Sequence, residues 1–398
     1  MSWEKVKLGN LVEFSQGLQV PIENQFEKKQ SNFVRFIRIV DYTNENEPIR
    51  YINKPNDKYF VDYDDIVMIR YGSQTAGKVV RGITGVIANN TFKINIAVKG
   101  LDKDYLFRFL SQNRIYKELN SGQGSSTMPA VSFGNVKNII IEYPHLPTQK
   151  RIASILSTYD DLIENNLKRI KLLEETAQNI YKEWFVNFRF PNYENTPFNE
   201  ETGLPVGWEV KKLSELYNTS SGGTPKRDNP NYYEGNIKWF RTNELQDNFL
   251  IDSELHISED ALKNSSAKLF PKNTVLMAMY GATIGRLGVL TEEASTNQAC
   301  CGIIPINENF GNSFIYYWLL KNREHILSLR MGAAQENISQ TIIKDLEVIK
   351  PSSIILKEFN SKIDKINEIK INLTIQNQKL KEARDILLPR LMNRTIEV

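Results

Sequence analysis

The sequence predicts an α+β protein. Two repeated mixed α/β domains are separated and joined by two long helices, which pair as an antiparallel coiled coil with pseudo-twofold symmetry. Three observations lead there. The chain repeats itself at a near-constant offset. Each copy opens with short β-like runs broken by turn residues. Each copy closes with a long stretch of heptad-spaced apolar residues.

The repeat is direct. Residues 3–17 read WEKVKLGNLVEFSQG and residues 208–222 read WEVKKLSELYNTSSG. Trp3/Trp208, Glu4/Glu209, Lys7/Lys212, Leu8/Leu213, Leu11/Leu216, Ser15/Ser220 and Gly17/Gly222 match without gaps. Further on, FIRI around Arg38 parallels WFRT around Arg241, and Tyr71-Gly72 meets Tyr280-Gly281. VKNIIIEYP ending at Pro144 parallels IKDLEVIKP ending at Pro351. The offset is 205 residues at Trp3, 203 at Arg38 and 209 at Tyr71. Chance matches would not keep that order and spacing.

Within each copy, Ile66–Tyr71, Val79–Ile87 and Val275–Tyr280 read as strands among Gly, Asn and Pro turns. The first helical stretch places Ile152, Leu156, Tyr159, Ile163, Ile170, Leu173, Ala177, Ile180 and Trp184 on one seam. Steps of four and three alternate, with Asn166 the one polar seam residue, a device that fixes register at some cost in stability. The second stretch runs Phe359, Ile363, Ile366, Ile369, Leu373, Leu380, Ala383, Leu387 and Leu391, interrupted at Gln376 and Asn377. The first helix would be ~50 Å long. Two such helices in one chain most simply pack on each other, placing the two domains at opposite ends. The alternative is that they are core helices of two separate domains. The expected boundaries are 1–146 and 208–351 for the domains, 147–187 and 352–398 for the helices, and 188–207 for the linker.

Composition bounds the function. The chain has 398 residues, 41% hydrophobic and 24% charged, an ordinary globular balance. Fifty basic residues face 47 acidic ones, too even for a histone-like binder but compatible with local basic patches. Two adjacent cysteines, Cys300 and Cys301, and three scattered histidines give neither a disulfide framework nor a zinc site. With no signal-like apolar core and no long apolar run, a cytoplasmic protein that does not engage membrane is expected.

Catalytic motifs fail one by one. Gly72–Lys78 fits the start of a phosphate-binding loop, but Val79 stands where a magnesium-binding Ser or Thr belongs. Its counterpart, Gly281–Arg286, is one residue shorter. Asp228-Asn229-Pro230-Asn231-Tyr232 approaches the motif of amino-methyltransferases but lacks its second proline, and no glycine-rich cofactor loop follows a strand. His145, His256 and His325 have no nucleophile or metal partner in sequence, and no carboxylate pair stands out. No catalytic residue, no metal site and no cofactor of its own is expected.

What remains points to nucleic acid. Gly222–Tyr233 combines two glycines with Thr224, Lys226, Arg227 and Tyr232 in one turn. Tyr71, Ser73, Gln74 and Lys78, and likewise Tyr280, Thr283 and Arg286, put small polar donors and a cation after a strand. Asn89, Asn90, Asn297 and Gln298 supply amides able to pair bidentately with adenine, and Arg38 and Arg241 could contact guanine or phosphate. Each alone could be a solvated turn; their parallel placement in both copies carries the signal.

At this point the chain resembles the specificity subunits of type I restriction–modification enzymes. The stretches that carry the resemblance are LPVGWEVKKLSEL (204–216), GGTPKRDNPNYYEGNIKWFRTNEL (222–245), MAMYGATIGRLG (277–288), STNQA (295–299) and KEWFVNFRFP (182–191). They span nearly the whole chain. The first copy departs more, lacking Leu-Pro-x-Gly before Trp3 and any Gly-Gly-Thr-Pro. The resemblance implies a division of labour. Each domain would read one half of a split double-stranded DNA target. The helices would act as a ruler, holding the two domains roughly one DNA turn, ~34 Å, apart, and as docking surfaces for two methyltransferase subunits. Those partners would carry S-adenosylmethionine and methylate adenine, and a motor–nuclease subunit can join. The competing reading is a tandem-domain coiled-coil scaffold that binds protein rather than DNA; steep salt dependence of binding would separate the two.

Overall fold

The computed structural model describes residues 3–44, 47–121, 129–307, 310–331 and 336–398. They form two compact units, residues 1–163 with 379–398, and residues 164–378.

The first unit contains strands β1 (Glu4–Lys7), β2 (Val12–Gln16), β3 (Phe33–Ile37), β4 (Arg50–Asn53), β5 (Phe60–Val61), β6 (Ile66–Ile69), β7 (Val79–Val80), β8 (Gly85–Ile87), β9 (Thr91–Ile96) and β10 (Ile140–Tyr143). Its helices are α1 (Ile39–Thr43), α2 (Lys103–Leu110), α3 (Asn113–Asn120), α4 (Phe133–Asn138) and the first part of α5 (Leu146–Tyr181). Two four-stranded sheets run β2-β9-β6-β7 and β4-β3-β8-β5, and β1 pairs with β10.

The second unit repeats this plan. Its strands are β11 (Glu209–Lys212), β12 (Tyr217–Ser221), β13 (Ile237–Phe240), β14 (Asn248–Leu250), β15 (Leu255–Ile257), β16 (Leu269–Phe270), β17 (Val275–Ala278), β18 (Leu287–Leu290), β19 (Ala294–Thr296), β20 (Cys300–Pro305) and β21 (Glu347–Lys350). Its helices are α6 (Leu213–Leu216), α7 (Glu259–Asn264), α8 (Asn312–Lys321), α9 (Arg323–Ser328), α10 (Gln340–Asp345) and the first part of α11 (Ser353–Met392). The sheets run β12-β20-β17-β18-β14 and β15-β13-β19-β16, and β11 pairs with β21. Strand for strand this is the first unit with β14 added, and β3/β8 and β13/β19 are parallel pairs in both.

The central strands are apolar on both faces because each lies between two cores. In β17, Val275 and Met277 enter the larger core of the unit while Leu276 and Ala278 enter the smaller one. In β20, Cys301 and Ile303 face the larger core and Cys300 faces the smaller. The two cysteines are free and fully buried. Burial pushes both thiols up, Cys301 to about 12, because a thiolate loses its hydration there. At pH 8 both buried thiols are then held in the protonated, unreactive form. A disulfide reagent at pH 8 is therefore expected to leave the native protein unlabelled and to label both cysteines on addition of denaturant. Rapid native labelling would contradict this placement. The folded thiols stay protonated, so their contribution is complete below the unfolded value near 9 and declines as pH rises above it.

Within each sheet domain, or head, the first and last strands meet before the long helix begins. Leu8 donates its N–H to Ile139 O at 2.8 Å, and Leu213 does the same to Leu346 O at 2.8 Å. Ser132 and Ser339 cap the preceding short helices α4 and α10 by accepting from Asn135 N and Ile342 N. A buried amide then ties each long helix to its head. Gln149 Nε2 donates to Gly100 O and Pro144 O, while its Oε1 accepts from Asp102 N at 2.8 Å. Asn360 Oδ1 accepts from Phe314 N at 3.1 Å and its Nδ2 donates to Phe310 O at 3.1 Å.

The long helices α5 and α11 pack together, and within each unit they run antiparallel. In the first unit Ile152 and Leu156 share a core with Leu391 and Met392. In the second, Asn166 Nδ2 donates to Asn377 Oδ1 at 3.0 Å, and Tyr181 and Trp184 pack against Phe359. On α5, Ile152, Leu156, Ile163, Asn166 and Ala177 are buried, as is Trp184 just beyond its end, and Tyr159, Ile170, Leu173 and Ile180 are half-buried. On α11, Ile363 and Leu373 are buried, and Ile366, Leu380 and Leu387 half-buried. The expected place of Ile369 is corrected. Ile369 is 43% exposed, and Lys370, 5% exposed, takes the inner position. Asn377 is likewise buried. Arg384, one residue beyond the expected Ala383, meets Asp160 of α5, and with Lys370, Asn377 and Arg384 in place the α11 seam is a strict heptad: Phe359, Ile363, Ile366, Lys370, Leu373, Asn377, Leu380, Arg384, Leu387, Leu391. Lys370, Asn377 and Arg384 fall on one heptad position, and each meets a polar side chain of α5.

A π-turn, Lys182–Val186, ends α5. Its wider winding turns both Trp184 and Phe185 into the second unit's core.

Candidate nucleic-acid interface

In the first unit, three chain segments bring polar side chains together where β2, β6 and β8 end. β6 runs into the turn Tyr71–Lys78. Thr75 Oγ1 donates to Tyr71 O at 3.0 Å, and Gly77, at φ 87°, returns the chain to donate to Ile69 O at 2.8 Å. Tyr71 bridges to Ala130. Ser73, Gln74 and Lys78 point into solvent, and the Lys78 ammonium lies 5.9 Å from the Tyr116 ring. Beside this turn, Arg70 Nη1 donates to Gln16 Oε1 at 3.3 Å and its guanidinium lies 5.1 Å from the Tyr71 ring centre. Gln16 Nε2 donates to Asn89 O, and Asn89 Nδ2 donates to Gln19 Oε1 at 3.4 Å. Asn90 O accepts from Arg70 N at 2.9 Å, and Asn90 Oδ1 is buried without a hydrogen-bond partner. Arg70, Gln16 and Gln19 thus join Tyr71, Asn89 and Asn90 although the sequence did not single them out. The available signal was position, since Gln16 and Arg70 directly precede matched glycine turns.

The second unit presents the twin surface with different chemistry. The turn Tyr280–Arg286 closes at Gly285, and Tyr280 bridges to Asn337. Burial pushes the Tyr280 phenol up while a hydrogen bond with Gln298 pulls the other way, so the two side chains are neighbours. Thr224 Oγ1 donates to Gln298 Oε1. The loop 222–233 is held from below. Trp239 Nε1 donates to Gly223 O at 3.0 Å and Tyr233 Oη to Pro225 O at 2.8 Å. That leaves Lys226 and Arg227 exposed at its tip. Tyr232 turns inward and packs on the cluster of Trp239, Ile257, Ala261 and Ala267.

Hydrogen bonds shift one expected correspondence by a residue. Ala88 N and Asn297 N donate to Ile37 O and Phe240 O, while Arg70 N and Met279 N donate to Asn90 O and Ala299 O. Asn89 is therefore the twin of Gln298, and both are exposed amides. Asn297 is the twin of Ala88, and its Oδ1 is buried without a partner.

Three arginines are already engaged. Arg38 binds Asp41 and Glu47 at 3.0 and 3.1 Å. Arg241 binds Glu254 and lies 3.8 Å from Glu244. Both begin helical turns whose third residue is the acid, and that acid also accepts from the arginine's own N–H. Arg286 binds Asp247 at 2.6 Å, a carboxylate it shares with Arg323. Thr283 Oγ1 donates to Thr242 O at 2.7 Å. These side chains brace the turns around the patch.

No group of three His, Cys, Asp or Glu side chains is placed to hold a metal among the described residues. No helix there is long and apolar enough to cross a membrane. The molecule is thus of the tandem-repeat class: two sheet-based heads, each with a polar patch at the end of its sheets, on a pair of long helices.

Comparison with known proteins narrows that class. The family model for the type I restriction modification DNA specificity domain matches residues 1–175 and again 205–382. The specificity subunit of the type I restriction enzyme MjaIX from Methanocaldococcus jannaschii is 28% identical over 308 residues, covering 76% of this chain and 71% of that protein. The HindI specificity subunit from Haemophilus influenzae is 25% identical over 353 residues, covering 73% and 76%. The crystal structure of a type I restriction–modification S subunit from M. genitalium superposes with a TM-score of 0.60 at 16% identity, covering 98% of this chain and 96% of that one, so it shares the fold. The chain belongs to the type I restriction–modification specificity family, the non-catalytic subunits that determine DNA target recognition.

Proposed function

We propose that residues 1–146 and 208–351 are two recognition heads, each reading one half of a split double-stranded DNA target. Segments 147–187 and 352–398 dock two methyltransferase subunits, and the linker 188–207 carries the chain from the first helix into the second head. Those partners bring S-adenosylmethionine and methylate adenine in the cytoplasm; a motor–nuclease subunit joins when DNA is to be cut. The observation that carries this reading is the recurrence of one strand order with one polar patch, built from different residues in each copy. A duplicated scaffold with divergent patches is what reading two different half-sites requires.

The contact set in the first head is Tyr71, Ser73, Gln74, Lys78, Asn89 and Asn90, extended by Gln16 and Arg70. In the second it is Thr224, Lys226, Arg227, Tyr280 and Gln298. Lys78, Lys226 and Arg227 suit phosphate, and the amides suit base edges. Arg38, Arg241, Arg286, Thr283 and Tyr232 act through the loops they hold, and Asn297 through its backbone bond to Phe240 O. At 36 and 40 residues, α5 and α11 would each span at least ~50 Å, longer than the ~34 Å of one DNA turn.

The test is co-expression with the neighbouring methyltransferase subunit, followed by genome-wide mapping of methylated adenine. A split motif should appear only when this chain is present. Exchanging residues 1–145 for another head should change one half-site and leave the other. Loss of both half-sites, with the hybrid folded, would refute independent heads.

A further inference from the structure

In each unit, one acidic side chain of α5 is gripped from two sides. In the first, Asp160 binds the guanidinium of Arg108, from α2 of the head, and that of Arg384, from α11, at 2.6 Å. In the second, Glu174 accepts from the Tyr317 hydroxyl, on α8 of the head, at 3.2 Å, and binds the Lys370 ammonium from α11. Three of the four gripping groups are deeply buried, and the fourth, Arg384, is half-buried. Arg108 is 5% exposed, Lys370 5% and Tyr317 1%. Lys370 also lies 4.9 Å from the Phe249 ring centre.

Arg108 and Tyr317 are twins, each the sixth residue of the corresponding head helix. The carboxylates are not. The repeat carries Asp160 of α5 onto Asn367 of α11, which instead donates to Ser313 Oγ at 3.0 Å. The same three-way contact of head helix, α5 carboxylate and α11 cation therefore exists twice without having been copied. Duplication does not account for that; a requirement common to both heads does.

The physics of the contact supplies the requirement. A buried cation that loses its partner is strongly destabilised, so α2 cannot shift without stranding Arg108 nor α11 without stranding Lys370, and a shift of α8 would leave the buried Tyr317 hydroxyl without its acceptor. Apolar packing tolerates small slides, whereas a charge-assisted contact is directional, so a carboxylate held from two sides resists displacement of either partner. Base readout is sensitive to displacements of the order of 1 Å. We propose that Asp160 and Glu174 are positioning residues, each fixing its own head on the helix pair, and that each clamp sets the fidelity of its own half-site. This rests on the reading that each head recognises one half-site.

The experiment uses the full chain co-expressed with its methyltransferase subunit and genome-wide mapping of methylated adenine. Tyr317→Phe removes one hydroxyl and keeps the buried ring, so the second unit still folds. It should raise methylation of sites mismatched in the second head's half-site about fivefold relative to matched sites, the scale of one lost hydrogen bond. The other half-site should stay as strict as before. Arg108→Met should relax the first half-site alone. Lys370→Glu should relax the second, and Glu174→Lys added to it should restore strictness by re-forming the pair in reverse. If the folded variants leave both half-sites strict, or relax both equally, the clamps do not position the heads. Failure of the wild-type chain to direct any split motif is a separate outcome. It would remove the two-head reading and this proposal with it.

Discussion

Replacing Phe359 with alanine is expected to destabilise the second unit by about 3–5 kcal/mol, the range for deleting a large buried aromatic side chain. Phe359 is fully buried at the start of α11. Its ring centre lies 4.8 Å from Phe185 and 5.8 Å from Trp184, both in the π-turn that ends α5, and 6.1 Å from Tyr181. Phe314 of the head stands 6.5 Å away. One side chain thus joins the end of one long helix, the start of the other and the head between them in sequence. Such a site cannot collapse to fill the space, because three independent elements would have to move together. Tryptophan fluorescence in a denaturant titration is the measurement. Trp184, Trp208, Trp239 and Trp318 all lie in this unit, so the signal reports on it in particular. A midpoint shift equivalent to less than about 1 kcal/mol would show that the knot is not where the helices are joined.

The fold was legible because its two signals are periodic. The match of WEKVKL with WEVKKL placed β1 and β11, and heptad spacing placed both long helices. The misreading of Ile369 is instructive. Hydrophobicity favours Ile369 over Lys370, yet Lys370 is buried because Glu174, far away in sequence, offsets its charge. A pattern that scores residues singly cannot see a partner supplied by folding. The candidate interface was harder to read for the same reason. Arg38 and Arg241 resemble free cations until Asp41 and Glu244, three residues on, are seen to cap the turns they begin. That acid was visible in both copies and was the available signal. The one-residue offset between Asn89-Asn90 and Asn297-Gln298 had no such signal. It is set by which backbone groups bond across the sheets, and residue identity says nothing about that.

The second large effect is expected at Gly222. A Cβ there would lie 2.1 Å from Thr296 Oγ1, 2.3 Å from Thr296 O and 2.5 Å from Asn297 O. Two of those atoms are backbone and cannot rotate away, so Gly222→Ala must push β12 away from the turn that follows β19. Forcing extra volume into a closed contact of this kind costs about 1–3 kcal/mol. The functional loss should exceed the loss of stability. Gly222 opens the loop that carries Thr224, Lys226 and Arg227, and the atoms it would displace adjoin Gln298, the partner of Thr224. Gly17 is its twin, with Ala88 O at 2.2 Å from the same imagined Cβ, beside Asn89. The two substitutions therefore form a matched pair. Gly222→Ala should abolish discrimination at the second head's half-site and spare the first, and Gly17→Ala the reverse, with methylation mapping as the readout. A folded Gly222→Ala protein that still reads both half-sites would mean that the patch at the sheet ends is not where this chain meets DNA.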